Sequence, residues 1–336
     1  MMENYDDKTM RAMVLHAAGG KLQPERRAIP EPQHHQVLVR VSACGVCRTD
    51  LHVQDNELPD IAYPIIPGHQ VVGNIVAAGA ESILPIGSRV GIAWLARTCG
   101  TCEFCRSGRE NLCDDAQFNG YNVDGGFADF MLADSRFCFP LDDAVPAAET
   151  TPLLCAGLIG YRSLRMAGDA QRIGIYGFGS AAHIITQVAV HEKRQIYAFT
   201  RSGDEAAQSF ALRVGATWAG DSDHPAPEKL DAALIFAPDG RLVPKALTDL
   251  KKGGVVICGG IHMSDIPSFP YADLWEERHI RSVANLTRAD GTDFMSLAGH
   301  VPIHPEITTY PLEAANDALD DLRSGAINGT AVLVMD

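Results

Sequence analysis

The chain has 336 residues, of which 46% are apolar, and its formal net charge is −14. A chain of this length exceeds the range in which one hydrophobic core keeps growing, so we expect two domains. The acidic balance argues against a nucleic-acid partner, because phosphate binding relies on clustered Lys and Arg. Small molecules are the expected ligands.

The beginning of the sequence favours a cytoplasmic protein. MMENYDDKTM is polar and acidic, with neither the basic start nor the apolar core of a secretory signal. The longest apolar stretch, roughly residues 173–190, is interrupted by Gly174, Gly177, Gly179 and His183, which favours a strand, a turn and a helix over a membrane span. Nine cysteines in a reducing compartment indicate metal binding or catalysis rather than disulfides.

The first half of the chain has the pattern of a β-rich domain. From Met10 to about residue 145, short strand-like runs such as QVLVRVSA, QVVGNIVAAGA and SRVGIAW are separated by Pro and Gly clusters. After roughly residue 156, the runs RIGIYG, QIYAFT, DAALIFA and GVVICGG alternate with helical patterns. That alternation predicts a parallel sheet with helices on both faces, and the helices are expected at 180–192, 204–214 and 241–251.

The end of the chain returns to a different pattern. The helix LEAANDALDDLRSG ends at Gly325 and is followed by the strand TAVLVMD. We expect this tail to complete the first domain. The predicted division is therefore a β-rich domain of residues 1–155 and 286–336, with a dinucleotide-binding domain of residues 156–285 inserted in it.

Four cysteines follow each other closely in CGTCEFCRSGRENLC, namely Cys99, Cys102, Cys105 and Cys113. Four thiolates suit a tetrahedral zinc ion and leave no position open, so the predicted role is structural. An iron–sulfur pattern would have three residues before the last cysteine and a proline after it. Here there are seven residues, and Asp114 follows. The alternative of exposed thiols without a ligand is disfavoured because crowded thiols oxidise readily.

Two further segments hold isolated candidate ligands. YPIIPGHQVVG places His69 in a Gly-Pro turn before an apolar strand, and TTPLLCAG places Cys155 in an apolar stretch. Taken alone, His69 is typical of an ordinary turn histidine, and Cys155 is typical of a buried core thiol. The segment CGVCRTDLH adds Cys44 and Cys47.

Together GVCRTDLH, PGHQ, the four cysteines, LLCAG and a later glycine-rich turn have the order found in the zinc-dependent medium-chain alcohol dehydrogenases, and the resemblance spans essentially the whole chain. It implies an α/β protein with a β-rich, GroES-like catalytic domain and a Rossmann doubly wound parallel-sheet coenzyme domain. It also implies two zinc ions per chain. Cys47, His69 and Cys155 would hold the catalytic ion and leave a fourth position for water or substrate. Cys44 lies outside the ligand pattern and is expected to be a packing residue.

The resemblance assigns roles to the neighbours of these ligands. Asp50 would accept the second ring N–H of His69 and fix its tautomer. Thr49 would hydrogen-bond the substrate oxygen at the zinc and begin a proton relay through the nicotinamide ribose to His52. Arg48 would face the coenzyme pyrophosphate. The alternative for each is a solvated turn residue.

One position departs from the family pattern. The family usually has Glu after the histidine of the PGH turn, and this chain has Gln70. A neutral amide cannot supply the carboxylate thought to assist ligand exchange at zinc. We therefore expect an intact zinc site with altered exchange kinetics.

The run RIGIYGFGSAAHIITQVAV supplies the coenzyme motif. Gly177, Gly179 and Ala182 form a G-x-G-x-x-A turn between a strand and a helix, a position that makes the match a dinucleotide fingerprint. The helix N-terminus would then face the pyrophosphate.

The segment QIYAFTRSGDE has Thr200, Arg201 and Ser202 where NAD-preferring members carry an acidic residue. A guanidinium and hydroxyls there could bind an adenosine 2′-phosphate, so NADP(H) is favoured and NAD(H) is possible. Arg201 could instead be merely exposed, and Asp204 could contact the ribose.

The predicted reaction is reversible hydride transfer between a primary alcohol or aldehyde and the nicotinamide coenzyme. NADP(H) would favour carbonyl reduction in the cell. Trp94 is predicted to line the substrate pocket and to favour slim substrates, with burial in the domain core as its alternative. The resemblance further implies a homodimer or homotetramer formed largely through the coenzyme domains.

Two rival functions stay open. A zinc-free quinone or enoyl reductase of the same superfamily would lack the cysteine cluster and the Cys–His–Cys set. A catalytically silent coenzyme-binding or redox-sensing protein would be compatible with Gln70 and with the extra thiols Cys44, Cys138 and Cys258.

Overall fold

The computed structural model describes residues 8–142, 145–327 and 329–335. Contacts divide these residues into two compact units. One falls within 1–155, 287–295 and 305–336, and the other within 156–286 and 296–304. Across the described ranges, no helix combines the length and the apolar composition needed to cross a membrane.

The first unit is mainly β. Its strands are β1 (Thr9–Val14), β2 (Gln23–Ala28), β3 (Gln36–Val46), β4 (Val71–Ala78), β5 (Arg89–Ile92), β6 (Leu95–Arg97), β7 (Gln117–Phe118), β8 (Phe130–Asp134), β9 (Cys138–Pro140), β16 (Ile307–Pro311) and β17 (Thr330–Val334). Its helices are α1 (Arg48–Gln54), α2 (Glu103–Arg106), α3 (Ala147–Thr150) and α10 (Ala315–Ser324), with 3₁₀ turns at Glu110–Leu112, Ser135–Phe137, Thr151–Leu154 and Leu312–Ala314.

Seven of these strands form one sheet in the order β16-β17-β3-β4-β5-β9, with β8 also paired to β3. Strand β3, QVLVRVSACGV, is rich in β-branched residues, and most of its side chains are buried. The last strand of the chain, β17, pairs antiparallel with it, so that Leu333 lies opposite Cys44. The sheet therefore holds both sides of the segment that leads directly into Cys47.

The second unit is a helix-covered parallel sheet. Its strands are β10 (Arg172–Tyr176), β11 (Gln195–Thr200), β12 (Trp218–Asp221), β13 (Leu230–Ile235), β14 (Leu250–Cys258) and β15 (His279–Ser282). Its helices are α4 (Ala156–Met166), α5 (Ser180–His191), α6 (Glu205–Arg213), α7 (Leu242–Asp249) and α8 (Tyr271–Leu274), and α9 (Arg288–Ala298) contains residues of both units.

The strand order of this sheet is β12-β11-β10-β13-β14-β15, and neighbouring strands are parallel. This is the doubly wound order, which changes direction between β10 and β13. Tyr176 and Phe199 stack in its core with ring centroids 4.2 Å apart. The α/β class, the parallel sheet and the helices expected near 180–192, 204–214 and 241–251 are confirmed.

Candidate functional site

Helix α1 begins at the first candidate ligand. Cys47 is its N-cap: the Sγ atom accepts a hydrogen bond from the backbone of Thr49 at 3.4 Å, and the Cys47 N–H donates to Asp50 Oδ2 at 2.8 Å. This reciprocal pair is a capping box. The sulfur consequently lies at the positive end of a helix, where the thiolate form is stabilised.

Three donor atoms from distant parts of the chain meet at this sulfur. His69 Nε2 lies 3.2 Å from Cys47 Sγ, and Cys155 Sγ lies 3.9 Å from it. All three donor atoms are within 4.8 Å of one another. Two thiol sulfurs and one imidazole nitrogen are a donor set that fits zinc and leaves one of four tetrahedral positions open.

The members of this triad shift one another's pKa values. The hydrogen bond from Cys155 and the charge of His69 hold the pKa of Cys47 well below its usual range, and the same contact raises the pKa of Cys155. Burial lowers the pKa of His69, but the charges of Cys47 and Asp50 outweigh this effect and raise it to about 10. A bound cation would replace protons held by the triad.

Asp50 lies behind the imidazole ring. Its Oδ1 atom is 3.3 Å from His69 Nδ1 and accepts a hydrogen bond from Gly68 N at 3.2 Å. The contact with Nδ1 has the distance of an ion pair but not the direction of a well-aligned hydrogen bond. Burial raises the pKa of Asp50, while His69 opposes that shift. Asp50 is therefore placed where it can orient the ring.

The other predicted residues of α1 are less enclosed. Thr49 and His52 are half-buried and lie three residues apart on the helix, whereas Arg48 is exposed. His52 Nδ1 contacts the carboxylate of Glu57, a partner that the sequence did not reveal. The proton-relay and pyrophosphate roles stay predictions.

Trp94 lies beside the imidazole and is also part of the core. Its ring meets that of His69 edge-on, with centroids 5.0 Å apart. It stacks on Phe118 and Tyr121 at 5.1 and 5.6 Å, and only 8% of it is exposed. The Tyr121 hydroxyl donates to the carbonyl of Pro59. We call Trp94, Phe118 and Tyr121 the aromatic wall.

The four clustered cysteines also converge. Their sulfurs lie within 4.8 Å of one another, with Cys99 Sγ and Cys105 Sγ 3.9 Å apart. Hydrogen bonds from the backbone of Thr101 and Cys102 lower the pKa of Cys99 to about 6, while burial raises that of Cys113 to about 12. Cys102 Sγ accepts from Cys105 N at 3.4 Å. This loop, which we call the cysteine lobe, offers four sulfurs that fit a structural zinc.

One carboxylate ties the lobe to the returning chain. Glu110, only 3% exposed, accepts hydrogen bonds from the backbone and Nε of Arg288 at 2.9 and 3.2 Å. The Arg288 guanidinium also lies 4.8 Å from the centroid of the Phe137 ring. Sequence reasoning missed this pair, because nothing in the local pattern links positions so far apart.

In the second unit, the glycine turn joins β10 to α5 at the direction change of the sheet. Gly177 has a φ of +88°, and a Cβ added there would lie 2.8 Å from Ala237. A Cβ at Gly179 would meet no atom within 4 Å. Helix α5 has no side-chain cap, so its first N–H groups can bind an anion. Ala182 is fully buried, as its packing role requires.

The comparisons with known proteins agree with this geometry. Residues 33–143 match the alcohol dehydrogenase GroES-like domain. A probable alcohol dehydrogenase of Mycobacterium tuberculosis is 45% identical over 97% of this chain and 98% of that protein. The alcohol dehydrogenase of Moraxella sp. is 33% identical over 96% of this chain and 99% of its own length. This chain belongs to the zinc-dependent medium-chain alcohol dehydrogenase family.

A solved structure extends the likeness to coenzyme complexes. The acetophenone reductase of Geotrichum candidum, solved in complex with NAD, has a TM-score of 0.86 and 25% identity, with 98% of each chain covered. The family membership makes this chain an NAD(P)-dependent oxidoreductase of alcohols and aldehydes that uses zinc.

Within this alcohol dehydrogenase, a segment that sequence reasoning missed holds the PGH turn. We call residues 119–127, NGYNVDGGF, the clamp. Its bonds to the turn are Gly125 N to Ile66 O at 2.7 Å, Gly126 N to Gly68 O at 2.9 Å, Phe127 N to Pro67 O at 3.0 Å and Ile66 N to Asp124 Oδ1 at 2.9 Å. A Cβ on Gly125 would lie 2.0 Å from Gly68 O. The Asn-Gly and Asp-Gly-Gly signals marked turns but not their partner.

Gln70 follows the histidine into the interior of the dehydrogenase. It is fully buried, and neither its Oε1 nor its Nε2 has a hydrogen-bond partner in the described ranges. It packs so closely on Gly45 that a Cβ there would lie 2.9 Å from Gln70 Cδ. Neighbouring Cys44 is buried as well, which raises the pKa of its thiol, and it lies outside the ligand triad.

Proposed function

We propose that this chain is a zinc-dependent alcohol dehydrogenase and aldehyde reductase that acts on primary alcohols and aldehydes. The observation that carries the proposal is the convergence of Cys47, His69 and Cys155, from three separate segments, on a common centre. We further propose that residues 1–155 and 286–336 form the catalytic domain and that residues 156–285 form the coenzyme domain.

The side chains around this centre have different proposed roles. When bound, zinc supplies Lewis-acid polarisation of the substrate oxygen, and the coenzyme exchanges a hydride with the adjoining carbon. Cys47 and Cys155 bind as thiolates, and Asp50 orients the imidazole of His69. The Thr49 hydroxyl is proposed to exchange a proton with the substrate oxygen.

His52 is proposed to pass that proton to solvent. Its ring already contacts the carboxylate of Glu57, which can hold the imidazole in position while a proton moves. His52 lies in the last turn of α1, and Glu57 follows three residues after the end of that helix. The pair would therefore form the outer end of the relay.

A second zinc is proposed for the cysteine lobe. Four sulfurs fill a tetrahedral site, so the role is structural rather than catalytic. The N–H donors at Cys99 and Cys102 stabilise the thiolates that such an ion requires.

The coenzyme is proposed to lie on the turn of Gly177, Gly179 and Ala182. The open space at Gly179 and the uncapped start of α5 support this placement for a pyrophosphate. Arg48 stays a prediction for phosphate binding. From the sequence alone, Arg201 predicts a preference for NADP(H), and the direction of the cellular reaction depends on which coenzyme is used.

We propose a homodimer or homotetramer formed through the coenzyme unit. Among the described strands, β15 pairs only with β14 and so ends its sheet. Four large apolar side chains between β14 and β15 are strongly exposed, namely Ile261, Ile266, Tyr271 and Trp275. An open strand edge beside apolar surface favours pairing with a second copy. Trp275→Glu should lower the mass measured by light scattering.

A cytoplasmic location is proposed from the cysteines. The chain has nine cysteines, and seven of them belong to the two proposed zinc sites, a use of cysteine typical of a reducing compartment. The expected substrate is a small molecule, in keeping with the family.

The zinc content of purified variants tests the proposal. The wild type should contain two zinc ions per chain and reduce short or aromatic aldehydes. Cys47→Ala should contain one and lose turnover. Cys44→Ala is a matched control, because it removes a neighbouring thiol that lies outside the triad, and it should keep both ions and activity.

Other results would support the rivals. A zinc content near zero in active wild-type protein would favour a zinc-free quinone or enoyl reductase. Coenzyme binding without turnover across a broad alcohol and aldehyde panel would favour a silent binding or redox-sensing protein.

A further inference from the structure

The carboxyl ends of two neighbouring strands meet where a dinucleotide places its adenosine ribose. Strand β11 ends at Thr200, and the parallel strand β12 ends beside it, with Asp221 opposite Thr200 in the register. In doubly wound folds, the residue at the end of the second strand chooses between the ribose 2′-hydroxyl and a 2′-phosphate. Thr200 has no carboxylate with which to bind the 2′-hydroxyl, but Asp221 on the neighbouring strand has one.

The hydrogen bonds of this loop place two carboxylates against it. Asp223 Oδ2 accepts from the Ser202 hydroxyl at 2.6 Å, and Asp221 Oδ1 accepts from Gly203 N at 3.1 Å. Asp221 also accepts from Gln208 Nε2 at 2.8 Å, which holds it in place. The Ser202 hydroxyl and the Gly203 N–H, which could otherwise donate to a phosphate, therefore already donate to carboxylates.

The other acidic residues of the loop also disfavour a bound phosphate. Asp204 caps α6 by accepting from Ala207 N at 3.0 Å, and Glu205 lies in the first turn of that helix. The cation of this loop is Arg201, which is exposed and forms no ion pair with the described residues. A second exposed cation, Arg241, is near enough to Asp223 to interact with its charge, but its guanidinium is paired with Asp239 at 2.8 Å. A phosphate dianion would meet Arg201 together with several carboxylates, whereas a ribose hydroxyl can donate to one of them.

We propose that Asp221 and Asp223, at the end of β12, select NAD(H) over NADP(H) in this dehydrogenase. The two residues supply from the neighbouring strand the discrimination that Thr200 lacks. Arg201 is then a solvated side chain rather than a phosphate ligand, and the preference is the reverse of the NADP(H) preference that the sequence alone predicts. The inference rests on the proposed binding of a nicotinamide coenzyme at the glycine turn.

Equilibrium binding without substrate tests the inference. Dissociation constants for NADH and NADPH are measured by the change in nicotinamide fluorescence on zinc-replete protein. The wild type should bind NADH at least about tenfold more tightly. Asp223→Ser removes an exposed carboxylate that faces Ser202, so it should tighten NADPH binding at least about tenfold and change NADH binding little.

Two further variants sharpen the test. Asp221→Asn keeps the shape of the side chain and should also improve NADPH binding if Asp223→Ser does. Asp169→Ser makes the same change of charge at an exposed site before β10, at the opposite end of the strands, and should leave both constants unchanged.

The outcomes separate the inference from the proposed function. Tighter binding of NADPH by the wild type would overturn the inference alone, as would an unchanged NADPH constant in Asp223→Ser. If the wild type binds neither coenzyme, the proposed function fails and the inference fails with it.

Discussion

The backbone nitrogen of Ile66 donates a hydrogen bond of 2.9 Å to the carboxylate of Asp124, which lies 58 residues further along the chain. Ile66 begins the turn that presents His69, and Asp124 belongs to the clamp. The bond therefore links the position of a proposed zinc ligand to a loop that contains no ligand. Because the Ile66 N–H is buried, leaving it without a hydrogen-bond acceptor would cost free energy.

Asp124→Ala should weaken the catalytic zinc site without affecting the cysteine lobe. We expect the free energy of unfolding to fall by about 1–2 kcal/mol and one of two zinc ions to leave faster in a chromogenic chelator. Native mass spectrometry would count the ions retained. Asn122→Ala is the matched control, since Asn122 lies in the clamp but its Oδ1 accepts a hydrogen bond from Phe118 N of β7 rather than from the PGH turn. Equal zinc release from both variants would contradict a positioning role for Asp124.

Gly125→Ala tests how closely the clamp approaches the turn. The added Cβ would lie 2.0 Å from the carbonyl oxygen of Gly68, so the two backbones must separate. We expect a loss of about 3 kcal/mol, seen as a lower midpoint of thermal unfolding. In Gly179→Ala the new methyl group meets no atom within 4 Å, so the midpoint should stay near that of the wild type. A stable Gly125→Ala protein would mean that the clamp can move.

The sequence predicted the parts of the fold whose pattern is local. The apolar runs of β10, β11, β13 and β14 lie inside the sheet and were visible. The edge strands β12 and β15 have only four residues each and few buried side chains, so their pattern was too weak to detect.

The residues of the candidate site could likewise be predicted only in part. The cysteine lobe was visible because its ligands are close in sequence, and the triad was found through a family resemblance rather than through spacing. The clamp, Glu57 and the Glu110–Arg288 pair could not be predicted. The clamp and the Glu110–Arg288 pair depend on contacts between segments that only the folded chain brings together. Glu57 lies only five residues after His52, but no sequence pattern marks that contact.

Gln70→Glu probes the departure from the family pattern. The amide is fully buried without hydrogen-bond partners, so a carboxylate there would add negative charge beside the Cys47–His69–Cys155 triad. By the family resemblance, we expect several-fold faster zinc exchange at the catalytic site and an altered kcat. Gln70→Met removes both unpaired polar atoms at similar volume and should raise stability by about 1 kcal/mol. If turnover and zinc retention are the same in Gln70→Glu and wild type, the hypothesis is wrong.

Glu110→Gln should loosen the cysteine lobe from the chain that follows β15. The carboxylate is nearly fully buried, whereas the Arg288 side chain is 44% exposed, so we expect a loss of about 1–3 kcal/mol. Thermal unfolding of the zinc-replete protein measures it. Glu103→Gln makes the same change of charge on an exposed residue of the lobe and should have little effect. Equal midpoints for the two variants would exclude an anchoring role for Glu110.

Trp94→Ala separates the two roles of the aromatic wall. The indole contacts the His69 ring, so its removal should open space beside the proposed catalytic centre. We expect kcat/KM for branched or bulky carbonyl substrates to rise about tenfold relative to slim aldehydes.

The same substitution removes stacking with Phe118 and Tyr121 and should cost about 3–5 kcal/mol, so rates are compared below the unfolding transition. Phe118→Ala also weakens the wall but leaves the contact between Trp94 and His69. If only Trp94→Ala changes the substrate profile, Trp94 lines the pocket. If the profile is unchanged while stability falls, the indole serves the core alone.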